Sequence, residues 1–138
     1  MKILIDTNVF LDFLQAREPY HKSAAKLIQR CGKKEFEGYI AAHSIPNLFY
    51  ILRKQFDVPT RKKLLKALCE TLNVVGIDKT NLCDALDNEE WNDFEDCLQY
   101  LCAKDAEVDY IITRNPKDFV NSDIPLLSAD EFLALDEQ

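Results

Sequence analysis

The sequence predicts an α/β fold, a three-layer α/β/α sandwich in which helices cover both faces of a short parallel sheet. Short apolar runs alternate along the chain with longer segments whose apolar residues recur at helical spacing, and this alternation is typical of parallel sheets. Hydrophobic residues make up 47% of the chain, as in an ordinary folded protein. With 138 residues, we expect residues 1–138 to form a single domain.

Five short apolar runs are predicted to form the strands. The first covers residues 2–5 and ends at an acid. Helical segments separate the runs, so neighbouring strands are expected to be parallel. The other four predicted strands are residues 39–41, 74–77, 110–113 and 124–127.

Capping and turn residues mark the predicted helices. Thr7 or Asn8 caps a helix that ends near residue 14, and Pro19 begins a second helix that Gly32 stops. A proline in the first turn and a polar cap mark several of the later helices. These later helices are predicted to begin at Ser44, Pro59, Thr80, Asn92 or Asp93, and Ser128.

The composition excludes several kinds of site. The net charge of −7 argues against a protein that coats nucleic acid through bulk positive charge. His21 and His43 lie far apart in the sequence, so any bound metal is expected to have oxygen ligands. Three glycines allow no glycine-rich phosphate loop. The five cysteines form no CxxC motif and no apolar run is long enough to span a membrane, so we expect a cytoplasmic protein with free thiols.

Candidate catalytic residues follow the first and fourth predicted strands. Asp6 ends the first strand, while Thr113, Arg114 and Asn115 end the fourth, with Asp118 a few residues later. In open parallel sheets, sites form at the carboxyl ends of the strands. Taken alone, Asp6 is interpreted equally well as the cap of the next helix.

A second acidic group begins the helix that is predicted near residue 93. Asp93, Asp96 and Tyr100 fall along one flank of this helix, because residues three or four apart are neighbours. Two carboxylates on one flank repel each other unless a cation lies between them. Helix capping by Asp93 and the helix macrodipole explain the same acids without a metal, and this alternative stays open.

A basic cluster lies in residues 53–66, where the only acid is Asp57. Such a cluster can follow a phosphate backbone, although a solvated helix face is the commoner explanation. Lys66 belongs to this basic cluster as well. The predicted nucleic-acid contacts are Arg53, Lys54, Arg61, Lys62, Lys63 and Arg114.

Asn47 lies on the polar flank of the preceding helix, where first-turn capping is the simplest interpretation.

Three segments, in this order, resemble the motifs of the PIN domain, a nuclease family that includes the VapC toxins of bacterial toxin–antitoxin pairs. The segment I-D-T-N-V at residues 5–9 is similar to the first motif, and residues 93–99 are similar to the acidic helix motif. Residues 110–115, with 117–119 behind them, resemble the last motif. The likeness covers roughly residues 1–135.

The resemblance implies RNA cleavage with a divalent cation, Mg²⁺ or Mn²⁺, held by the acids of these motifs. It makes Asp6 and Asp96 the principal metal ligands, and it adds Asp93 and Asn115 to the catalytic group. The residues expected to support this group are Asn8, Asn47, Thr113 and Asp118.

Two positions depart from the family pattern. Many members have Glu where this chain has Asn47, and many have Asp where it has Asn115. Both changes replace a charged ligand by a neutral one. The expected acidic cluster is therefore one or two charges poorer than in those members.

These features together predict a ribonuclease that cleaves single-stranded or structured RNA as the toxin of a toxin–antitoxin pair. The expected partners are the RNA substrate, a small antitoxin protein and a second copy in a homodimer. One alternative is a catalytically weakened PIN-fold module that binds RNA or protein, which Asn47 and Asn115 favour. Another is a phosphatase with Asp6 as nucleophile, although Asn8 stands where such enzymes place a second Asp. Asp12 is expected on the far side of the first helix, away from the site.

Overall fold

A computed structural model of the protein describes residues 1–136. Five strands form one sheet in the order β3-β2-β1-β4-β5, and all neighbouring strands are parallel. The predicted α/β sandwich with a parallel sheet is therefore confirmed. The strands are β1 (Lys2–Ile5), β2 (Glu37–Ala41), β3 (Asn73–Val75), β4 (Tyr110–Ile112) and β5 (Leu126–Leu127).

Helices connect the strands and lie on both faces of the sheet. Two short 3₁₀ turns, Leu52–Lys54 and Pro116–Phe119, follow α3 and β4. No helix of the described residues is long and apolar enough to cross a membrane. The helices are α1 (Thr7–Leu14), α2 (His21–Gly32), α3 (Ser44–Ile51), α4 (Val58–Thr71), α5 (Lys79–Asp87), α6 (Phe94–Asp105) and α7 (Ala129–Asp136).

The two faces of the sheet bury two separate cores. Ile3 and Ile5 of β1 pack with α1, α2, α3, α4 and α7, whereas Leu4 between them packs with α6 on the other face. The same alternation separates Ile112 from Ile111 in β4. Successive side chains of a strand point to opposite faces, so short strands buried on both sides read as continuous apolar runs.

Three helices end in a left-handed residue that is not glycine. These residues are Ala16, Lys34 and Glu107, with φ angles of 50°, 61° and 55°. The hydrogen bonds from the Lys34 N–H to the Cys31 carbonyl and from the Glu35 N–H to the Arg30 carbonyl form a Schellman motif. We predicted that Gly32 stops α2, but it is the last helical residue and Lys34 takes the left-handed position.

Candidate active site at the carboxyl edge of the sheet

Asp6 lies at the carboxyl end of β1 and is 3% exposed. It stands at the N-cap position of α1, yet its side chain makes no capping hydrogen bond. Its Oδ1 accepts a hydrogen bond from Gln99 Nε2 at 2.7 Å, and its Oδ2 accepts one from Thr113 Oγ1 at 2.9 Å. Burial raises the pKa of Asp6, and the hydrogen bonds from Thr113 and Gln99 only partly oppose this shift.

A chain of polar side chains joins Asp6 to three helices. Gln99 Nε2 of α6 also donates to Thr7 Oγ1 of α1 at 3.0 Å, and the hydroxyls of Thr7 and Ser44, the first residue of α3, share a hydrogen bond at 2.8 Å. Gln99 Oε1 is buried and has no protein partner among the described residues. The network therefore holds the Asp6 carboxylate in one orientation and leaves one buried acceptor unused.

Gln99 was not predicted as a site residue. It is 3% exposed and stands three residues after Asp96, on the buried side of α6. A polar amide within the otherwise apolar face of a helix was the available signal in the sequence. Its partners Asp6 and Thr7 are more than 90 positions away, so local spacing did not identify its role.

The pKa of Asp96 is raised well above the ordinary value of an aspartate. The residue is half-buried in the first turn of α6, and burial followed by the charges of Asp93, Asp6, Asp118 and Glu95 raises its pKa to about 7. These carboxylates come from the end of β1, from α6 and from the 3₁₀ turn after β4. The fold thus brings together acids that lie far apart in the sequence, and their mutual repulsion favours the protonated form of Asp96.

Asp93 has a structural role in addition to its charge. Its Oδ1 accepts a hydrogen bond from the Asp96 N–H at 2.9 Å, which caps α6. The capping interpretation of Asp93 is therefore confirmed, while its carboxylate also contributes to the raised pKa of Asp96. Asp93 therefore caps α6 and also adds a negative charge to the acidic edge of the sheet.

The other predicted polar residues lie around the same edge. Thr113 is buried, and its Oγ1 accepts a hydrogen bond from the Asn115 N–H at 3.1 Å while donating to Asp6. Asn115 begins the 3₁₀ turn after β4, in which Asp118 is exposed. Asn8 in the first turn of α1 and Asn47 in the first turn of α3 are both half-buried.

The predicted basic cluster contains two kinds of residue. Some are exposed to solvent, and others contact neighbouring aromatic rings or carbonyl groups. Arg61 is only 8% exposed; its Nη1 donates to the Phe49 carbonyl at 2.6 Å and its guanidinium lies 4.2 Å from the centre of the Phe49 ring. This placement corrects the prediction of Arg61 as an exposed phosphate contact, because the guanidinium joins α4 to α3. Arg53 stacks on the exposed Tyr50 ring at 3.8 Å. The exposed lysines of the cluster are Lys54, Lys62, Lys63 and Lys66.

Asp12 and Arg114 form an ion pair that was not predicted. Asp12 is 2% exposed, and its two oxygens accept hydrogen bonds from Arg114 Nε at 2.8 Å and Arg114 Nη2 at 3.0 Å. Arg17 Nη1 approaches the same carboxylate at 3.8 Å. The expectation that Asp12 faces away from the functional edge is wrong, since it binds the residue directly after Thr113.

The side chains at this edge are a candidate site for a divalent cation. No group of three or more His, Cys, Asp or Glu side chains in residues 1–136 is arranged to hold a metal ion. The donors present are carboxylate and amide oxygens, which hard divalent cations prefer, and such ions often complete their coordination with water. A bound cation would relieve the repulsion that raises the Asp96 pKa. In donor chemistry the residues therefore fit a divalent cation.

The parallel α/β sandwich, with acids at the carboxyl edge of its sheet, is the architecture expected of a PIN domain. Residues 2–117 match the family model of the PIN domain, so the chain belongs to the PIN domain family, as its motifs indicated. Nucleases of this family in general use divalent metal ions. The search of curated proteins found no match.

Several solved structures share this fold. The VapC20 toxin of Mycobacterium tuberculosis, described as cleaving the sarcin-ricin loop, has a TM-score of 0.68 and 13% identity, over 86% of this chain and 94% of its own. FitAcB of Neisseria gonorrhoeae has a TM-score of 0.67 and 13% identity, over 92% and 97%. VapBC2 of Rickettsia felis, bound to a promoter DNA fragment, has a TM-score of 0.64 and 15% identity, over 93% and 98%. At these identities the likeness shows the fold.

Proposed function

We propose that this protein is a metal-dependent RNA endonuclease and the toxin of a toxin–antitoxin pair. The observation that carries the proposal is the convergence of carboxylates around Asp96, whose charges add to the effect of burial in raising its pKa to about 7. A fold gains no stability from crowding like charges, so such a cluster is most readily explained by a cation that it binds. Membership of the PIN domain family supports this interpretation.

Asp6 and Asp96 are the proposed ligands of Mg²⁺ or Mn²⁺. A carboxylate has about four lone-pair sites, and the bonds from Gln99 and Thr113 occupy one site on each oxygen of Asp6. The Thr7 main-chain N–H also interacts with this carboxylate, and the lone pairs that remain are the ones proposed to bind the cation. Gln99 and Thr113 then act as positioning residues, because they fix the plane of the carboxylate.

Asp93 and Asp118 are proposed to act from the periphery of the site. Their charges reach Asp96, and both residues are exposed, where they can bind metal-bound water. Asn115 is placed beside Thr113 by its main-chain N–H and is proposed to orient water or the scissile phosphate. When bound, the divalent ion supplies an activated water and neutralises charge on the phosphate in the transition state.

RNA as substrate and an antitoxin as partner are proposed from the family and the fold. VapC20 is described as a toxin that cleaves the sarcin-ricin loop, and the FitAB and VapBC2 structures are both bound to DNA. We propose a cytoplasmic homodimer in which the exposed cations of the 3₁₀ turn Leu52–Lys54 and of α4 contact the RNA backbone. The proposed cations are Arg53, Lys54, Lys62 and Lys63, with Arg114 nearer to the acids.

Asp6→Asn tests the nuclease proposal. The substitution removes one charge with little change of shape, so the fold should persist while the central ligand is lost. We expect Mn²⁺-dependent cleavage of single-stranded RNA to fall at least a hundredfold, or about 2.7 kcal/mol of transition-state stabilisation. Asp84→Asn, an exposed aspartate on α5, is the matched control and should cleave normally. Undiminished cleavage by Asp6→Asn would show that the mechanism is wrong.

A catalytically weakened module is the second candidate. It is favoured by the neutral Asn47 and Asn115 and by the lack of a preformed group of three metal-binding side chains in residues 1–136. Such a module would bind RNA without cutting it, and millimolar Mn²⁺ would leave its melting temperature unchanged. A rise in melting temperature with Mn²⁺ together with cleavage would exclude this candidate.

A further inference from the structure

A cavity of about 350 Å³ opens beside the candidate site, among α1, α2, the end of β4 and the start of α7. Its size lies within the range of small-ligand pockets. Thr113 borders both places, because its hydroxyl donates to Asp6 while the residue also lines the cavity. The cavity is therefore separated from Asp6 by a single residue, Thr113.

Arg114 and Tyr20 form one part of the cavity lining. Two nitrogens of Arg114 are bound to the buried Asp12, and the guanidinium carbon lies 4.5 Å from the centre of the Tyr20 ring. The ring itself is exposed. Nη1 of Arg114 has no hydrogen-bond acceptor among residues 1–136. This part of the lining thus presents an aromatic ring and an unused donor in a fixed orientation.

Two acids at the start of α7 form another part of the lining. Asp130 Oδ1 accepts a hydrogen bond from the Ser23 hydroxyl, and Glu131 Oε1 accepts one from the Ser128 N–H at 2.9 Å. The second oxygen of each carboxylate has no protein partner within the described part of the chain and stays free to accept. Since the only arginine of the lining is already paired with Asp12, these charges repel an anionic phosphate and favour a neutral ligand.

We propose that this cavity binds one unpaired nucleobase of the RNA substrate, beside the scissile phosphodiester, and that it selects guanine or cytosine. The inference rests on the proposed nuclease function. Arg114 covers one face of the Tyr20 ring, so the part of the ring beside the guanidinium offers an aromatic contact to the base. Arg114 Nη1 donates to a base carbonyl, and the free oxygens of Asp130 and Glu131 accept from an exocyclic amino group. Adenine has no carbonyl and uracil has no exocyclic amino group, so only guanine and cytosine satisfy both kinds of partner.

Arg114 also connects the cavity to the acids. Its hydrogen bonds to Asp12 raise the pKa of Arg114, and the Asp6 carboxylate adds a smaller electrostatic contribution in the same direction. The guanidinium is therefore within electrostatic reach of Asp6. A base held at Arg114 therefore lies on the side of the cavity that is nearer to Asp6, and we infer that the bond next to this base is the one that is cleaved.

Binding without metal tests the proposal directly. Fluorescence anisotropy in EDTA would measure the affinity of short single-stranded RNAs, identical except for one central A, C, G or U. We expect the guanine or cytosine oligonucleotide to bind about tenfold more tightly than the adenine and uracil ones. Tyr20→Ala should remove this preference with a loss of about tenfold in affinity, whereas Tyr20→Phe retains the ring and should retain both. Tyr20 is exposed, so these variants should fold, as thermal melting would verify.

Cleavage of a random-sequence RNA provides the second measurement. The protein should cut with a guanine or cytosine at one position next to the cleaved bond, and Tyr20→Ala should lose that preference. Equal binding of all four bases, or unchanged selectivity in Tyr20→Ala, would overturn the cavity assignment while leaving the nuclease function intact. Base-selective binding without any Mn²⁺-dependent cleavage would overturn the nuclease function instead.

Discussion

Replacing Asp96 by Asn should stabilise the protein in the absence of metal. The folded-state pKa of Asp96 is raised from 3.8 to about 7 by burial and by four neighbouring carboxylates. The folded protein therefore binds a proton that the unfolded chain releases, and stability is lost as the pH rises from about 4 through 7. A shift of this size corresponds to at most about 4 kcal/mol. Because the side chain is only half-buried, solvent screening reduces our expectation to about 1–2 kcal/mol.

Urea unfolding in EDTA would measure this difference. Asn mimics the neutral carboxyl, so Asp96→Asn should gain about 1–2 kcal/mol over the parent at pH 8, and less than half of that gain at pH 5. Saturating Mn²⁺ should make the parent more stable than Asp96→Asn, since an ion at 100 times its Kd stabilises only the parent, by about 2.7 kcal/mol. Asp84→Asn should differ from the parent under neither condition. If Asp96→Asn is no more stable than the parent at pH 8 in EDTA, the carboxylates do not repel as argued.

Two further predictions concern parts of the fold outside the acids. Asp12→Asn should destabilise the protein by about 2 kcal/mol in urea unfolding, because it removes the buried charge that pairs with Arg114; an effect as small as that of Asp84→Asn would show that this pair contributes nothing. Lys34→Gly should raise stability by roughly 0.5–1 kcal/mol by relieving the left-handed conformation at φ 61°. Lys33→Gly, next to it at φ −82°, is the control and should bring no gain in the same measurement.

The alternation of apolar runs with helical segments was sufficient to predict the fold. Burial on both faces makes each strand of a parallel sheet a short apolar run, and this pattern is visible without any knowledge of distant contacts. The position of Asp6 directly after β1 follows from the same pattern, because the first polar residue after a buried strand falls at the carboxyl edge. The acids of α6 were found through helical spacing. These inferences all depend on residues that are close together in the chain.

Helix ends were predicted less well. Gly32 was expected to stop α2, yet the helix includes it and the left-handed position falls on Lys34. Gly32 instead lies close to α4, where an added Cβ would be 3.3 Å from Thr71 Cγ2. The chain turns two residues later, where the left-handed Lys34 carries a modest cost in free energy.

Tertiary structure alone decided which polar residues form hydrogen bonds and ion pairs with one another. Gln99 donates to Asp6 across 93 positions, and Arg114 pairs with Asp12 across 102. Arg61 looked like part of a solvated basic face, yet it lies buried against Phe49. Charge and hydrogen-bonding capacity can be read from a residue type, whereas its partner depends on which elements the fold packs together. For this protein the sequence was enough to predict the sheet and its acidic edge, while the partners and the cavity beside them depend on long-range packing.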